Sequence, residues 1–312
     1  MKPEILLTQA VLPALDQQLS ERYTVHHLYR HSDRAGFLRE YGAAIRGVVT
    51  GGAAGISNAL IDQLPVLDIV AINGIGTDAV DLAYARSRAI HVTTTPDVLT
   101  ADVADLALGL MIATLRGLCT GDRYVRDGQW GTQALPLARA VSGKRVGIVG
   151  LGRVGKAIAR RAAAFDCPVS YFDIRRFDDL PYAFVPDLAQ LARDSDVLLL
   201  AASADDAEGI VDAGVLDALG PDGILVNVAR GKLVNEQDLV QALREKRIAG
   251  AGLDVFVDEP RVPEALWQME NVVLQPHRAS ATEETRAAMG NIVLANLAAC
   301  FAGLVPPNSV TA

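Results

Sequence analysis

Short apolar runs alternate along the chain with longer stretches whose apolar positions recur at helical spacing, the pattern of a parallel sheet with helices on both faces. Strands are predicted over 4–8, 24–29, 47–50, 67–72 and 91–94, and again over 145–149, 169–173, 197–201, 224–228, 251–256 and 272–275. Between the two series, 101–126 is apolar on most faces and predicts one long buried helix, which makes a natural crossing from a first unit to a second. A last helix over 283–300 would return toward the first unit. Boundaries near Pro96 and Ser280 then divide the chain into a discontinuous domain, 1–96 plus 281–312, and a continuous one, 97–280. The fold class expected is α/β: two Rossmann-like, doubly wound parallel-sheet domains with an active-site cleft between them.

One turn is chemically specific. The strand over 145–149 breaks into Gly150-Leu151-Gly152-Arg153-Val154-Gly155 and then into a helical stretch over 156–164. At this spacing the first glycine permits the tight turn, the second lets backbone approach a pyrophosphate, and the third lets helix pack on strand. The phosphates would rest on N–H groups at the helix N-terminus. The next strand ends in Asp173, 18 residues beyond Gly155, close to where a ribose-binding carboxylate belongs. The bland alternative is a glycine-rich turn between buried elements.

Composition narrows the partners. The chain has 312 residues, half of them hydrophobic, and a net charge of −8 with no block of lysine or arginine, which argues against nucleic acid or an anionic membrane surface and for a small substrate. Cys119, Cys167 and Cys300 are far apart in mainly apolar segments and read as buried, unpaired thiols. No run is long and apolar enough for a membrane span, so a cytoplasmic protein is expected. The apolar helix over 101–126 predicts a homodimer, since such a stripe in water would be an unusual exposed patch. No metal site is expected.

Ligands in open α/β sheets bind at the carboxyl ends of strands. Arg230 follows the strand over 224–228, where its planar fork can hold a carboxylate by two parallel hydrogen bonds; the alternative is a surface arginine capping the next helix. His277 follows the strand over 272–275, and Glu259 lies in the loop after the neighbouring strand. A carboxylate against an imidazole favours the charged form, a competent proton donor.

Val226-Asn-Val-Ala-Arg230-Gly231, Gly250-Ala-Gly-Leu-Asp254-Val-Phe followed by Asp258-Glu259-Pro260, and Leu274-Gln-Pro276-His277 resemble the signature of the D-isomer-specific 2-hydroxyacid dehydrogenases. TPDVLTADVAD at 95–105, FDCPVSYF at 165–172 and DALGP at 217–221 resemble the hydroxypyruvate/glyoxylate and hydroxyphenylpyruvate reductase branch. The resemblance implies hydride transfer between a nicotinamide and C2 of a small 2-oxo acid, giving the D-2-hydroxy acid. Arg230 would bind the carboxylate and polarise the carbonyl, His277 would donate the proton, and Glu259 would keep His277 protonated. Val228, Ala229 and Asp254 would lie along the cofactor, Asp254 facing the nicotinamide amide or, alternatively, serving local backbone. The loop carrying Gly52, Ala53 and Ala54 would offer N–H groups to the substrate carboxylate, and Gly76 lies in the second substrate loop; a tight connection explains the first loop as well. Asp173 points to NAD(H), whereas Arg175 and Arg176 point to NADP(H) unless Asp178 and Asp179 leave them solvated; overall similarity tips the balance to NADP(H). Trp130 resembles a residue of the family's dimer contact, with core or interface packing the blander reading. Ala279 stands where relatives often have glycine. Glu259 argues against a formate dehydrogenase, and a dinucleotide-sensing scaffold or corepressor on the same fold is the alternative to an enzyme.

Overall fold

A computed structural model describes residues 2–132, 134–203 and 207–311. The chain divides into two compact units, Met1–Leu99 with Ala281–Ala312, and Thr100–Ser280.

The first unit holds β1 (Glu4–Leu7), β2 (Thr24–His27), β3 (Ile45–Thr50), β4 (Ile69–Ile72) and β5 (His91–Thr93), all parallel in the order β2-β1-β3-β4-β5. Side chains alternate between faces with period two. Ile5, Leu7, Val49, Ile69 and Ala71 pack under the helices Pro13–Arg22 and Glu283–Phe301, while Leu6, Val48, Val70, Ile72 and Val92 meet Phe37, Ile61 and Leu64 on the other side. Coverage of both faces explains why the inner strands β1, β3 and β4 are mainly apolar, whereas the edge strand β2 is Thr24-Val-His-His27. In this order the winding reverses between β1 and β3, the kind of position at which open α/β sheets bind ligands.

The second unit holds β6 (Val146–Val149), β7 (Val169–Phe172), β8 (Ala183–Phe184), β9 (Val197–Leu200), β10 (Ile224–Asn227), β11 (Gly250–Leu253) and β12 (Val272–Leu274) in the parallel order β12-β11-β10-β9-β6-β7-β8. The reversal falls between β6 and β9, which puts the glycine turn after β6 at the switch point. The helix Thr100–Arg116 belongs to this unit and lies close on β11. A Cβ added at Gly252 would come 3.0 Å from Leu110 Cβ, and one at Gly250 would come 3.2 Å from Thr114 Cγ2.

Three expectations need correction. The helix predicted over 101–126 is two helices, Thr100–Arg116 and Leu118–Arg126, bent by 61° at Gly117, whose φ of +59° places it in the left-handed region that ends a helix. The second of these helices buries none of its residues, so Cys119 is exposed while Cys167 and Cys300 are buried. The second sheet has a seventh strand, β8, too short for its alternation to stand out in the sequence. Among the described residues no single helix is long and apolar enough to cross a membrane.

Candidate active site

β10, β11 and β12 are neighbours, so residues just past their ends are brought together at one edge of the second sheet. Asn227, almost wholly buried, builds the turn after β10: its Oδ1 accepts the N–H of Ala229 at 3.0 Å and its Nδ2 donates to the carbonyl of Arg230 at 2.9 Å. Arg230 follows in extended conformation, with Nη1 donating to the Ala229 carbonyl at 2.7 Å. Gly231 closes this turn onto the loop after β11. A Cβ there would lie 1.9 Å from the carbonyl carbon of Phe256, so only glycine allows the two loops to touch.

That second loop carries Glu259. Its Oε1 accepts the N–H of Phe256 at 3.0 Å, and its Oε2 meets Nδ1 of His277 at 2.6 Å. Burial by itself pushes the Glu259 carboxyl up, but the hydrogen bonds from His277 and Phe256, with the positive charges of His277 and Arg230, outweigh it and hold the group below the ordinary carboxylate range. Arg230, Glu259 and His277 thus form one electrostatic cluster. His277 remains 42% exposed, so the imidazole is open to a ligand while one of its nitrogens is engaged. Its φ of +47° is in the left-handed region, unusual for a histidine.

Asp254 lies at the end of β11, and its carboxylate engages the loop that carries His277. It is 1% exposed, with Oδ1 accepting the N–H of Arg278 and Oδ2 that of Ala279, each at 2.9 Å. Burial raises its pKa against the pull of those two N–H groups. Ala279 is buried, its methyl group part of the packed loop.

The glycine turn fits a dinucleotide. Gly150 has φ +90°, and a Cβ on it would lie 2.5 Å from Ala202 Cα; a Cβ on Gly155 would lie 2.0 Å from the Gly150 carbonyl oxygen. A Cβ on Gly152 would meet nothing within 4 Å, so Gly152 keeps open the space that a pyrophosphate would fill. The helix Arg153–Ala163 begins there with no side-chain cap, leaving its N-terminus to a ligand. Leu151 donates its N–H to Asp173 Oδ2 at 2.7 Å, which ties the acid at the end of β7 to the turn. Val154 is half-buried in this helix, and Val228 and Ala229 are buried after β10. Arg176 is paired with Asp178 at 2.7 Å, whereas Arg175 lies over the Phe177 ring. Lys156 lies over the same ring. Neither Phe177 nor Lys156 was identifiable from sequence, because a cation over a ring leaves no spacing signature.

In the first unit, the two candidate substrate loops follow adjacent strands and touch. A Cβ on Gly52 would come 3.1 Å from the Gly76 carbonyl oxygen. Thr8 Oγ1 donates to Thr50 Oγ1, and Thr50 Oγ1 to the Gly55 carbonyl, both at 2.7 Å, which fixes the first loop. Among the described residues no acceptor takes the N–H groups of Gly52, Ala53 and Ala54. Trp130 is 78% exposed, which removes core packing as its role.

Residues 108–279 match the model of the D-isomer specific 2-hydroxyacid dehydrogenase NAD binding domain. The chain is 46% identical over 290 residues to glyoxylate/hydroxypyruvate reductase A of Arabidopsis thaliana, covering 93% of each chain. It is 45% identical over 301 residues to 2-ketogluconate reductase of Gluconobacter oxydans, covering 96% of each. Among solved structures, the NADPH-dependent glyoxylate/hydroxypyruvate reductase of Sinorhizobium meliloti, in complex with NADP and malonate, is similar with a TM-score of 0.91 and 39% identity, over 99% of this chain and 97% of that one. The chain therefore belongs to the D-isomer-specific 2-hydroxyacid dehydrogenase family.

Proposed function

We propose that this chain catalyses the NAD(P)H-dependent reduction of a small 2-oxo acid, such as glyoxylate, hydroxypyruvate or a related 2-oxo acid, to the D-2-hydroxy acid. The observation that carries the reading is the 2.6 Å contact between His277 Nδ1 and Glu259 Oε2, beside the Arg230 turn and in the unit that holds the glycine turn. Reductase names among the relatives favour catalysis over the scaffold alternative.

The dinucleotide, when bound, supplies a hydride for C2; Gly150 to Gly155 and Asp173 would hold it. Arg230 anchors the substrate carboxylate and polarises the C2 carbonyl. With Nδ1 engaged by Glu259, Nε2 of His277 is the atom that gives its proton to the carbonyl oxygen as negative charge develops there. Two cationic donors stabilise that charge more in the transition state than in the ground state, which is what accelerates the reaction. Asn227 and Gly231 set the position of Arg230, and Asp254 sets that of His277. In the first unit, the N–H groups of Gly52, Ala53 and Ala54, with the loop at Gly76, suit a carboxylate.

The reading further has the enzyme acting in the cytoplasm as a homodimer, joined through the helix Leu118–Arg126 and the segment after it. That helix exposes Leu118 and Val125, and Trp130 and Leu137 follow it into solvent. The deciding experiment is initial-rate oxidation of NADPH and of NADH with glyoxylate, hydroxypyruvate, hydroxyphenylpyruvate and 2-ketogluconate. Turnover of at least one pair is expected, and no oxidation with any of them would refute the proposal.

A further inference from the structure

We propose that Phe177 governs the affinity of this chain for an adenosine 2′-phosphate, and with it the choice between the two nicotinamide dinucleotides. This rests on the dinucleotide reading of the glycine turn. The Lys156 ammonium is 4.3 Å from the centroid of the Phe177 ring, and the Arg175 guanidinium carbon is 4.5 Å from it. The two cations come from different elements, one from the helix after the glycine turn and one from the loop after β7. Among the described residues neither has a carboxylate partner, whereas Arg176 is neutralised by Asp178.

The ring is itself held in place. The N–H of Phe177 donates to the hydroxyl of Tyr171 at 2.7 Å, and Tyr171 is fully buried in β7. Attraction to one ring thus gathers two like charges that repel each other and, among the described residues, form no ion pair with a carboxylate. A phosphate monoester, carrying close to two negative charges, relieves that repulsion and takes charge-assisted hydrogen bonds from both side chains. The pyrophosphate belongs at the glycine turn, so the anion suited to the loop after β7 is the one on the adenosine ribose.

Asp173 works against it. Its Oδ1 accepts the N–H of Arg175 at 3.2 Å and its Oδ2 the N–H of Leu151, which fixes a negative charge beside the same ribose. Lys156 and Arg175 on Phe177 offset that charge, and the chain accepts a 2′-phosphate. Without the ring they are released into solvent, Asp173 is unopposed, and the preference swings to the unphosphorylated ribose.

The test is calorimetric titration of the full chain with adenosine 2′,5′-bisphosphate and with adenosine 5′-monophosphate, for wild type, Phe177→Leu, Lys156→Met and Arg175→Met. Phe177→Leu retains apolar bulk, and the exposed Arg175→Met serves if that variant fails to fold. In each variant, affinity for the bisphosphate is expected to fall roughly fivefold or more while that for the monophosphate stays within about twofold. Equal losses for the two ligands, or no loss for either, overturn the role of Phe177 and leave the dinucleotide reading standing. Binding of the monophosphate but not the bisphosphate by wild type does the same. Binding of neither by wild type overturns the dinucleotide reading and this inference with it.

Discussion

Asp254 grips the chain on both sides of the His277 peptide: its carbonyl oxygen accepts the N–H of His277 at 2.8 Å, and its carboxylate takes the next two N–H groups. A left-handed histidine costs about 1–2 kcal/mol, and these three hydrogen bonds offset that cost. Asp254→Asn would turn an amide NH2 toward one of two N–H donors and leave it unsatisfied, a loss of about 1–3 kcal/mol. A fall of roughly tenfold in kcat is expected, with faster amide hydrogen exchange at 277–279. An unchanged exchange rate there would show that the carboxylate is not what orders the loop.

Glu259→Gln replaces the carboxylate that meets His277 Nδ1 at 2.6 Å with an amide, and kcat for reduction is expected to fall, as initial rates would show. The stability consequence has a definite sign. Glu259 is held below its ordinary value of 4.5, so its ionised form stabilises the fold above that pH, and the contribution is lost as pH falls through the depressed folded value. The difference in melting temperature between wild type and variant is expected to close on acidification, as a series of thermal melts would reveal.

Arg230→Ala should raise KM for the 2-oxo acid and lower kcat, with a combined loss in kcat/KM of about 10²–10³-fold, typical of removing one donor to a developing oxyanion. Dinucleotide affinity, measured by titration calorimetry, should be unaltered. Wild-type kinetics in this variant would remove the anchor role.

Gly231→Ala forces a Cβ into the Phe256–Val257 backbone and must part the Arg230 turn from the Glu259 loop. Overpacking of this kind costs about 1–3 kcal/mol. Activity is expected to fall further than that destabilisation explains, since the two groups proposed for catalysis move apart; comparing denaturation midpoint with kcat/KM checks it.

The dimer proposal predicts that aspartate at Leu137, which is 99% exposed, together with aspartate at Val125, gives a monomer by sedimentation at micromolar concentration. Unaltered sedimentation would place the interface elsewhere.

Much of this is legible in the amino-acid sequence. The inner strands of both units declare themselves through dense apolar runs because they are covered on two faces, and the glycine turn does so because backbone approach tolerates no side chain. Arg230, Glu259 and His277 were readable as residues just past strand ends. Gly117 ends the apolar helix, and the charged Asp122, Arg123 and Arg126 beyond it mark a second part that faces outward, a change of composition that reading 101–126 as one helix overlooks. What local pattern could not convey lies across space. Asp254 offered two readings that differ only in rotamer and partner. Asn227 and Gly231 carry no titratable group to attract notice, and their part in placing Arg230 emerges only from the bonds they make and the contact they permit.

The helix Glu283–Phe301 seals one face of the first sheet with residues that are translated after the whole of Thr100–Ser280. On the ribosome, the second unit can therefore be complete while Ile5, Val49 and Ile69 still await Val293, Leu294 and Leu297. Biogenesis would proceed from the middle of the gene product outward, and a nascent chain stalled before residue 283 would carry an open apolar sheet for chaperones to recognise.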